Sequence, residues 1–205
     1  MNEYTGEIGK DEVNIGSQTW LVSNLSVEKF RNGDFIKEVK TNEEWEIAAN
    51  NGEPAWCFFD NDETNGEKYG KIYNGFAVID ARSLAPNGWR IPNVEDWTKL
   101  FKHLGGEKVA GIKMKSTTEW HEHPIPLARR NGTNESGFTA LPGGYRNSDG
   151  TFKGVGEDGS FWSSSDLYGQ LQLRTLDFAE SCVIKNSLGK GYGFYIRCLK
   201  EKNKV

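Results

Sequence analysis

Side chains suited to holding a ligand are concentrated in the last third of the chain. Across residues 170–178 the apolar positions change parity, which indicates a β-bulge near Arg174-Thr175 that would re-aim the side chains around it. Tyrosines, amides and arginine are common components of recognition surfaces. The predicted ligand-binding face consists of Asp166, Tyr168, Gln170, Gln172, Arg174, Asn186 and Tyr192. The polar outer face of an ordinary β-sheet would have the same composition, so both interpretations stay open.

Oxygen-bearing side chains also cluster earlier in the chain, at residues 60–67. They would suit a hard cation such as calcium, which takes six or more oxygen ligands. The spacing departs from an EF-hand loop, because Gly66 is the seventh residue counted from Asp60 where that loop has glycine at the sixth. Asp- and Asn-rich turns also occur without an ion. Calcium is therefore the one cofactor that the sequence suggests, with Asp60, Asp62, Asn65 and Glu67 as its ligands.

Metal or nucleophilic chemistry based on histidine has little support in the sequence. His121 and His123 would share one face of an extended segment, with Glu119 as a further candidate, but metal sites need three or four ligands and a third fixed one cannot be named. A solvated loop is the favoured interpretation. A nucleophilic enzyme needs a serine or cysteine with a base in reach, and no such set can be assigned. The adjacent carboxyls of Glu157 and Asp158 are interpreted as a solvated turn.

Composition excludes several classes of function. The net charge is −4 and basic residues never run beyond a pair, so the electrostatic signature of a nucleic-acid-binding protein is missing. No apolar stretch reaches the roughly 20 residues that cross a bilayer, and residues 1–10 lack the basic start and apolar core of a signal peptide. Cys57, Cys182 and Cys198 permit at most one disulfide and include no Cys-x-x-Cys pair. These features do not identify the compartment.

Two helices are predicted in the N-terminal half of the chain. Thr41 and Glu44 form a capping box at the start of the first helix, and residues 50–52 would end it. Across residues 93–104, apolar side chains recur at helical spacing, and Gly105-Gly106 would end this second helix.

Short strands are predicted in the rest of the chain. Residues 13–22 are typical of a hairpin, and residues 71–79 are apolar and aromatic in the manner of a strand. After about residue 130 the helical spacing is lost, and turns separate strand-like segments at 138–141, 161–164, 170–178, 182–185 and 193–199. Helices followed by strands indicate an α+β fold. We predict one loop-rich domain over residues 1–205, with the two helices packed on short antiparallel strands.

A series of aromatic and glycine motifs occurs in a fixed order along the chain. The series comprises IGSQTW at 15–20, WCFFDND at 56–62, YGKIYN at 69–74, PNGWRIP at 86–92, TNESGF at 133–138, LPGGYR at 141–146, FWSSS at 161–165 and GFYIRC at 193–198. In this order the motifs resemble the Fibrobacter succinogenes major paralogous domain family over nearly the whole chain. A set of this length is far more specific than any single motif.

The resemblance implies a C-type-lectin-like fold related to the formylglycine-generating enzyme group, in proteins that Bacteroidetes-like bacteria commonly export. It implies no established activity, and the cysteine pairs or metal-binding histidines of those enzymes cannot be assigned in this chain. We therefore expect a non-catalytic secreted or cell-surface module that binds a glycan or protein ligand through its C-terminal strands and loops. Two alternatives stay open: a self-assembling structural component of the surface, and a formylglycine-generating-type enzyme or hydrolase.

Overall fold

Short helices and strands joined by long loops make up the molecule. The computed structural model describes residues 11–122 and 131–202. In these residues the helices are α1 Asn42–Asn51, α2 Glu63–Tyr69, α3 Gly75–Val78, α4 Val94–His103 and α5 Glu107–Met114. The strands are β1 Glu12–Ile15, β2 Gln18–Leu21, β3 Lys37–Glu38, β4 Ala55–Cys57, β5 Ile72–Asn74, β6 Trp89–Arg90, β7 Gly143–Arg146, β8 Phe152–Val155, β9 Asp158–Leu167, β10 Gln170–Asp177, β11 Val183–Leu188, β12 Gly193–Phe194 and β13 Leu199–Lys200. The predicted α+β class is confirmed, with five helices in the described residues where the sequence predicted two.

Side-chain caps explain the two helices that the sequence predicts. The Thr41 hydroxyl accepts a hydrogen bond from the Glu44 backbone NH at 3.1 Å, and the Glu44 carboxylate accepts one from the Thr41 NH. Asn93 and Asp96 form the same capping box at the start of α4. The side of α4 that faces the core carries Trp97, Leu100 and Phe101. Local signals are therefore sufficient to define these two helices.

Two sheets run through the described residues. One has four strands in the order β1-β2-β13-β6, and the other has nine, in the order β11-β10-β9-β7-β12-β5-β4-β3 with β8 beside β7. The predicted hairpin at residues 13–22 is present as β1 and β2. Most neighbouring strands are antiparallel, whereas β3 and β4 are parallel, as are β7 and β9. The last third of the chain contributes six of the nine strands of the larger sheet, β7 to β12.

Aromatic rings fill two neighbouring clusters of the core. Trp20, Trp97 and Phe138 are central to the first, where their ring centroids lie 4.9, 5.7 and 6.0 Å apart. Trp162 and Phe194 are central to the second, with centroids 4.7 Å apart. Large buried rings contribute much of the hydrophobic stabilisation of a fold that has so little regular structure. In the part of the chain that is described, no helix is both long and apolar enough to cross a membrane.

All three cysteines lie in the described residues, and each is a free thiol. Cys57 and Cys198 are buried in the core, and burial raises the pKa of each thiol to about 12. Such thiols stay protonated at neutral pH and act as small apolar side chains. The core is therefore held by packing and hydrogen bonds, without a covalent crosslink between these residues.

Three segments differ from their predicted structure. Residues 71–79 are not one strand, because β5 ends at Asn74, whose side chain accepts a hydrogen bond from the Ala77 NH and caps α3. Residues 138–141 contain a single β-bridge at Ala140 in place of a strand. Residues 60–67 are not a loop, since they belong to a 3-10 turn at Phe59–Asn61 and to α2. In each case a side-chain cap or a tertiary contact overrides the local pattern.

Candidate functional site

The strand β10 separates two environments. Leu173 packs in the cluster of Trp162 and Phe194, whereas Leu176 packs in the cluster of Trp97 on the other side of the strand. On the first side lies an open groove of about 380 Å³, which we call the tyrosine groove. Its lining is aromatic (Tyr145, Tyr192 and Phe194), polar (Asn147, Asp158, Ser160, Thr175 and Asn186) and aliphatic (Leu173, Ile184 and Leu188).

Three aromatic rings form a row along the tyrosine groove. Phe194 lies at the centre and is 2% exposed, with the Tyr145 ring 5.5 Å away and the Tyr192 ring 6.3 Å away, between centroids. The rings of Tyr192 and Phe194 are nearly parallel, at 5°. Trp162 meets Phe194 edge-on, and its indole NH donates to the Tyr73 carbonyl at 2.9 Å. The row therefore rests on a fixed base, and its two half-buried tyrosines face the groove.

Asp158 is the carboxyl of the groove, at the first position of β9 and directly across from Asp177 of β10. Burial, together with the nearby Asp177 and Glu157 carboxyls, raises the pKa of Asp158 to about 6. No side chain or backbone NH of the described residues donates a hydrogen bond to the Asp158 carboxyl. A half-buried carboxyl with like-charged neighbours and no donor is an unusual group, and such groups are concentrated at functional sites.

Hydroxyl and amide groups complete the polar lining of the groove. The Ser160 and Thr175 hydroxyls are 2.8 Å apart and hydrogen-bond to each other across β9 and β10. Asn147 donates to the Thr151 hydroxyl at 3.0 Å, which fixes the orientation of its amide. The exposed side-chain amide of Asn186 makes no hydrogen bond within the described residues. The groove thus combines aromatic faces with both donors and acceptors that are open to a ligand.

Of the seven predicted ligand-binding residues, Asn186 and Tyr192 line the tyrosine groove. Arg174 lies on the other side of β10, across from Phe161 and Lys185, and is 2% exposed. Its guanidinium donates to the Leu173 carbonyl at 2.8 Å, and its Nε is buried without a partner.

Gln172 lies on the same side of β10 as Arg174, since the two are separated by one residue in a regular strand. The pairing of β10 with β11 is regular over its whole length, and the irregularity lies between β9 and β10, at Leu171 and Leu173. The predicted bulge near Arg174-Thr175 is therefore wrong in position, because the additional residues belong to β9. Gln172 and Arg174 consequently do not share a surface with Asn186.

Asp166, Tyr168 and Gln170 lie at the hairpin between β9 and β10. Asp166 forms an ion pair with Lys190 at 2.8 Å and accepts a hydrogen bond from the Gly169 NH, and both contacts hold the pKa of its carboxyl below the usual range. Tyr168 is 98% exposed at the tip. The structure therefore divides the predicted binding face into three parts: the groove, the buried side of β10 and this hairpin tip.

The predicted calcium ligands have roles within the chain. The Asp62 carboxylate caps α2 by accepting from the Thr64 NH and hydroxyl, at 2.9 and 2.8 Å, which lowers the pKa of Asp62. Asn65 donates to the Phe59 carbonyl at 3.1 Å, and Glu67 borders a separate hollow. Calcium binding by Asp60, Asp62, Asn65 and Glu67 stays a prediction. Asp60 itself has a left-handed backbone, with φ of 53°.

The predicted histidine cluster is only partly described. His123 lies outside the described residues, and His121 is exposed with its Nδ1 3.7 Å from the Glu157 carboxylate. Glu119 forms an ion pair with Lys68. Across residues 11–122 and 131–202, no three His, Cys, Asp or Glu side chains come together as a metal site would require.

In two other hollows, of about 430 and 400 Å³, the basic side chains of Arg197 and Lys71 are paired within the chain. Arg197 borders the first, and two of its nitrogens donate to Asn24 Oδ1 at 3.1 and 2.9 Å. Lys71 borders the second, where its ammonium contacts Glu28 at 3.3 Å and lies 4.4 Å from the Trp56 ring centroid. Paired charges of this kind support the fold. The tyrosine groove is the stronger candidate for a binding site, because its carboxyl is half-buried without a partner among the described residues. The carboxyls for which the described residues give no ion pair in the two hollows, at Asp11, Glu63 and Glu67, are exposed.

Tyr145, Asn147 and Asp158 are the groove residues that sequence reasoning missed. Tyr145 belongs to the LPGGYR motif, which served only the family resemblance, and Asp158 was interpreted as part of a solvated turn. The signal that could have identified Tyr145 is its alternation with Gly144 and Arg146 in a strand, which directs it away from the buried arginine. Nothing in the local sequence of Asp158 indicates that it is half-buried.

The chain matches the family model of the Fibrobacter succinogenes major domain over residues 13–200. No curated protein matches the chain, and no solved structure matches it. The matched range includes both aromatic clusters and the whole lining of the tyrosine groove.

Proposed function

This chain belongs to the Fibrobacter succinogenes major domain family, and on that premise we propose that it is a non-catalytic recognition module that binds a glycan in the tyrosine groove. The observation that carries the proposal is the meeting of two half-buried tyrosine faces and an unpaired carboxyl in one groove. Ligand sites typically combine aromatic walls with a few polar groups that fix orientation. The groove has this composition.

A sugar ring presents an apolar face and a rim of hydroxyls, and each has a counterpart here. The row of Tyr145, Phe194 and Tyr192 offers flat apolar area to the face of the ring. Asp158 and Asn186 offer acceptors and a donor to the hydroxyls at the rim. The volume of about 380 Å³ is in the range of small-molecule sites, which supports a glycan as the ligand.

The proposal extends to the fold and the location. We propose a C-type-lectin-like fold, which is consistent with the α+β class, the loop-rich chain and the sheet-end position of the groove. We also propose that the protein acts outside the cell or on its surface, as the sequence resemblance implies. An open groove would be accessible to ligands at such a location.

Direct binding measurement tests the proposal. Purified protein is screened against a glycan array, and hits are measured by calorimetry with calcium and with chelator. Tyr192→Ala and Tyr145→Ala are each expected to weaken binding about tenfold, because an aromatic contact contributes roughly 1.5 kcal/mol. Phe35→Ala removes an exposed aromatic ring far along the chain from the groove lining and serves as the matched control, with unchanged affinity.

Several results would overturn the proposal. Loss of binding in Tyr168→Ala with retention in Tyr192→Ala would move the site to the hairpin tip. Release of cleaved sugar would make the protein a hydrolase, and the carboxyl pair Asp158 and Asp177 would then be its first candidates. Self-association without any glycan binding would favour a structural surface component. Loss of binding with chelator alone would instead bring the calcium prediction at Asp60, Asp62, Asn65 and Glu67 into the function.

A further inference from the structure

Among the described residues, the one charged side chain that lines the tyrosine groove is a carboxyl. Asp158 lines the groove, Asp177 lies across from it on β10, and Glu157 precedes it in the chain. No lysine or arginine lines the groove among the described residues. The nearest by strand register is Lys153, across from Tyr145 on β8, and its ammonium acts on the Asp149 carboxyl at the neighbouring turn. The groove therefore presents uncompensated negative charge to a ligand.

The described residues give the Asp158 carboxyl no favourable partner. Removing part of a carboxylate from water costs free energy unless a donor or a cation replaces the water. The described residues supply neither, and Asp177 and Glu157 add repulsion. His121 approaches Glu157, at 3.7 Å, and not Asp158. A ligand that brings a positive charge would relieve both the missing hydrogen bond and the repulsion, whereas a neutral hydroxyl would supply only the hydrogen bond.

The tyrosine rings favour the same kind of ligand. Tyr145 and Asp158 line the same groove, so an ammonium bound at Asp158 would also lie near this ring. Burial, and after it the Asp158 carboxyl, raises the pKa of the Tyr145 phenol. The face of an aromatic ring attracts a cation, most strongly where water is partly excluded. The carboxyl and the aromatic row therefore act on one ligand nitrogen, while Asn186 remains available for hydroxyls.

We propose that the glycan bound in the tyrosine groove contains an amino sugar with a free, protonated amine, and that this amine pairs with Asp158. The inference rests on the proposed function and identifies its ligand class. A lysine side chain carries the same charge. An amino sugar fits better because the groove also offers amide partners for a polyhydroxylated ring, at Asn147 and Asn186.

The test compares two ligands that differ only at nitrogen. A tetramer of glucosamine and the corresponding tetramer of N-acetylglucosamine are titrated into the protein at pH 6.5. We expect the free amine to bind about tenfold more tightly, since a charge-assisted hydrogen bond is roughly twice as strong as a neutral one. Asp158→Asn keeps the shape of the side chain and is expected to abolish this tenfold preference. Glu46→Gln, an exposed carboxylate on α1, is the matched control and retains the preference.

The pH dependence supplies a second readout. Protonation of Asp158 removes its charge, so affinity for the glucosamine tetramer is expected to fall by about tenfold from pH 6.5 to pH 5. The same change should be absent from Asp158→Asn. An affinity that is independent of pH over this range in the native protein would overturn the role of Asp158.

The outcomes separate the inference from the proposed function. Equal or tighter binding of the N-acetylated tetramer, still lost in Tyr192→Ala, would overturn the amine and leave the glycan groove intact. Comparable binding of an oligogalacturonate, which carries carboxylates, would also overturn it. Tighter, Asp158-dependent binding of a lysine-containing peptide would make the ligand a protein and overturn both proposals. Absence of any groove-dependent binding would overturn both as well.

Discussion

Two regions of the molecule hold charge away from water in opposite ways. Beside β7 and α1, Arg146 is fully buried, and its three nitrogens donate to backbone carbonyls, among them those of Val39 and Thr41, at 2.9 and 2.8 Å. The guanidinium also lies between the rings of Trp45 and Phe152, 4.6 Å from each centroid. Each of the three guanidinium nitrogens is therefore hydrogen-bonded to a carbonyl of the chain itself.

The tyrosine groove shows the contrary arrangement. Asp158 is only half-buried, yet the described residues give its carboxyl no donor and surround it with the carboxyls of Asp177 and Glu157. Burial alone therefore does not distinguish a charged side chain that stabilises the fold from one that can bind a ligand. A buried charge with all its partners in the chain joins structural elements, and a partly exposed charge without partners is available to a ligand.

The largest expected effect on the free energy of unfolding is that of replacing Arg146. Arg146→Met is expected to lower the free energy of unfolding by about 4 kcal/mol, because three buried carbonyls lose their donors. Urea denaturation followed by tryptophan fluorescence measures it. Arg82→Met is the control: that arginine pairs with Asp34 and Asp80 at the surface, and its loss should cost about 1 kcal/mol at most. Equal losses in the two variants would contradict the structural role of Arg146.

Replacing Asp158 in the tyrosine groove should instead raise the free energy of unfolding. The pKa of Asp158 is raised to about 6 from an ordinary value of 3.8, so its ionised form destabilises the fold above pH 6, and this cost fades as the pH falls toward 4. Asp158→Asn is therefore expected to raise the free energy of unfolding by about 1 kcal/mol at pH 7.5, a value that allows for the partial exposure of the carboxyl. At pH 4 the variant and the native protein should be equally stable. A destabilised variant at pH 7.5 would show that the carboxylate has a partner in the chain.

The smallest expected effect on the free energy of unfolding is that of replacing Arg174. It is as buried as Arg146, but one hydrogen bond to Leu173 and one unpartnered Nε replace the full set of bonds. Burial lowers the pKa of Arg174, which indicates an unfavourable environment for the charge. Arg174→Met should change the free energy of unfolding by less than about 0.5 kcal/mol, since an apolar side chain of similar volume removes a buried polar group. A loss near that of Arg146→Met in the same urea experiment would contradict this distinction.

The elements that could be predicted are those with local signals. The capping boxes at Thr41 and Asn93 identify α1 and α4, and the hairpin of β1 and β2 follows from alternation around a turn. The helix α5 could not be predicted, because it begins at a glycine without a side-chain cap and contains Gly111. That glycine is explained only by the fold, where a side chain would collide with the backbone carbonyl of Cys182.

The candidate site was predictable only in part, for the same reason. Tyr192 and Asn186 have the composition of a binding surface and lie in the groove, but Arg174 has that composition too and lies on the buried side of β10. Which side a strand residue occupies depends on register with distant strands. The position of Asp158 across from Asp177 and in one groove with Tyr145 likewise depends on the pairing of distant strands.

The smaller sheet brings together residues from the two ends of the described chain. Strand β13 lies beside β2, and the Lys200 ammonium meets the Glu12 carboxylate at 2.8 Å, although 188 positions separate them. A short linker could therefore join residues 11 and 202, and the exposed tip at Tyr168-Gly169 could serve as new termini. Such a circularly permuted chain should keep the groove. The same adjacency would let the domain be inserted into a surface loop of another protein.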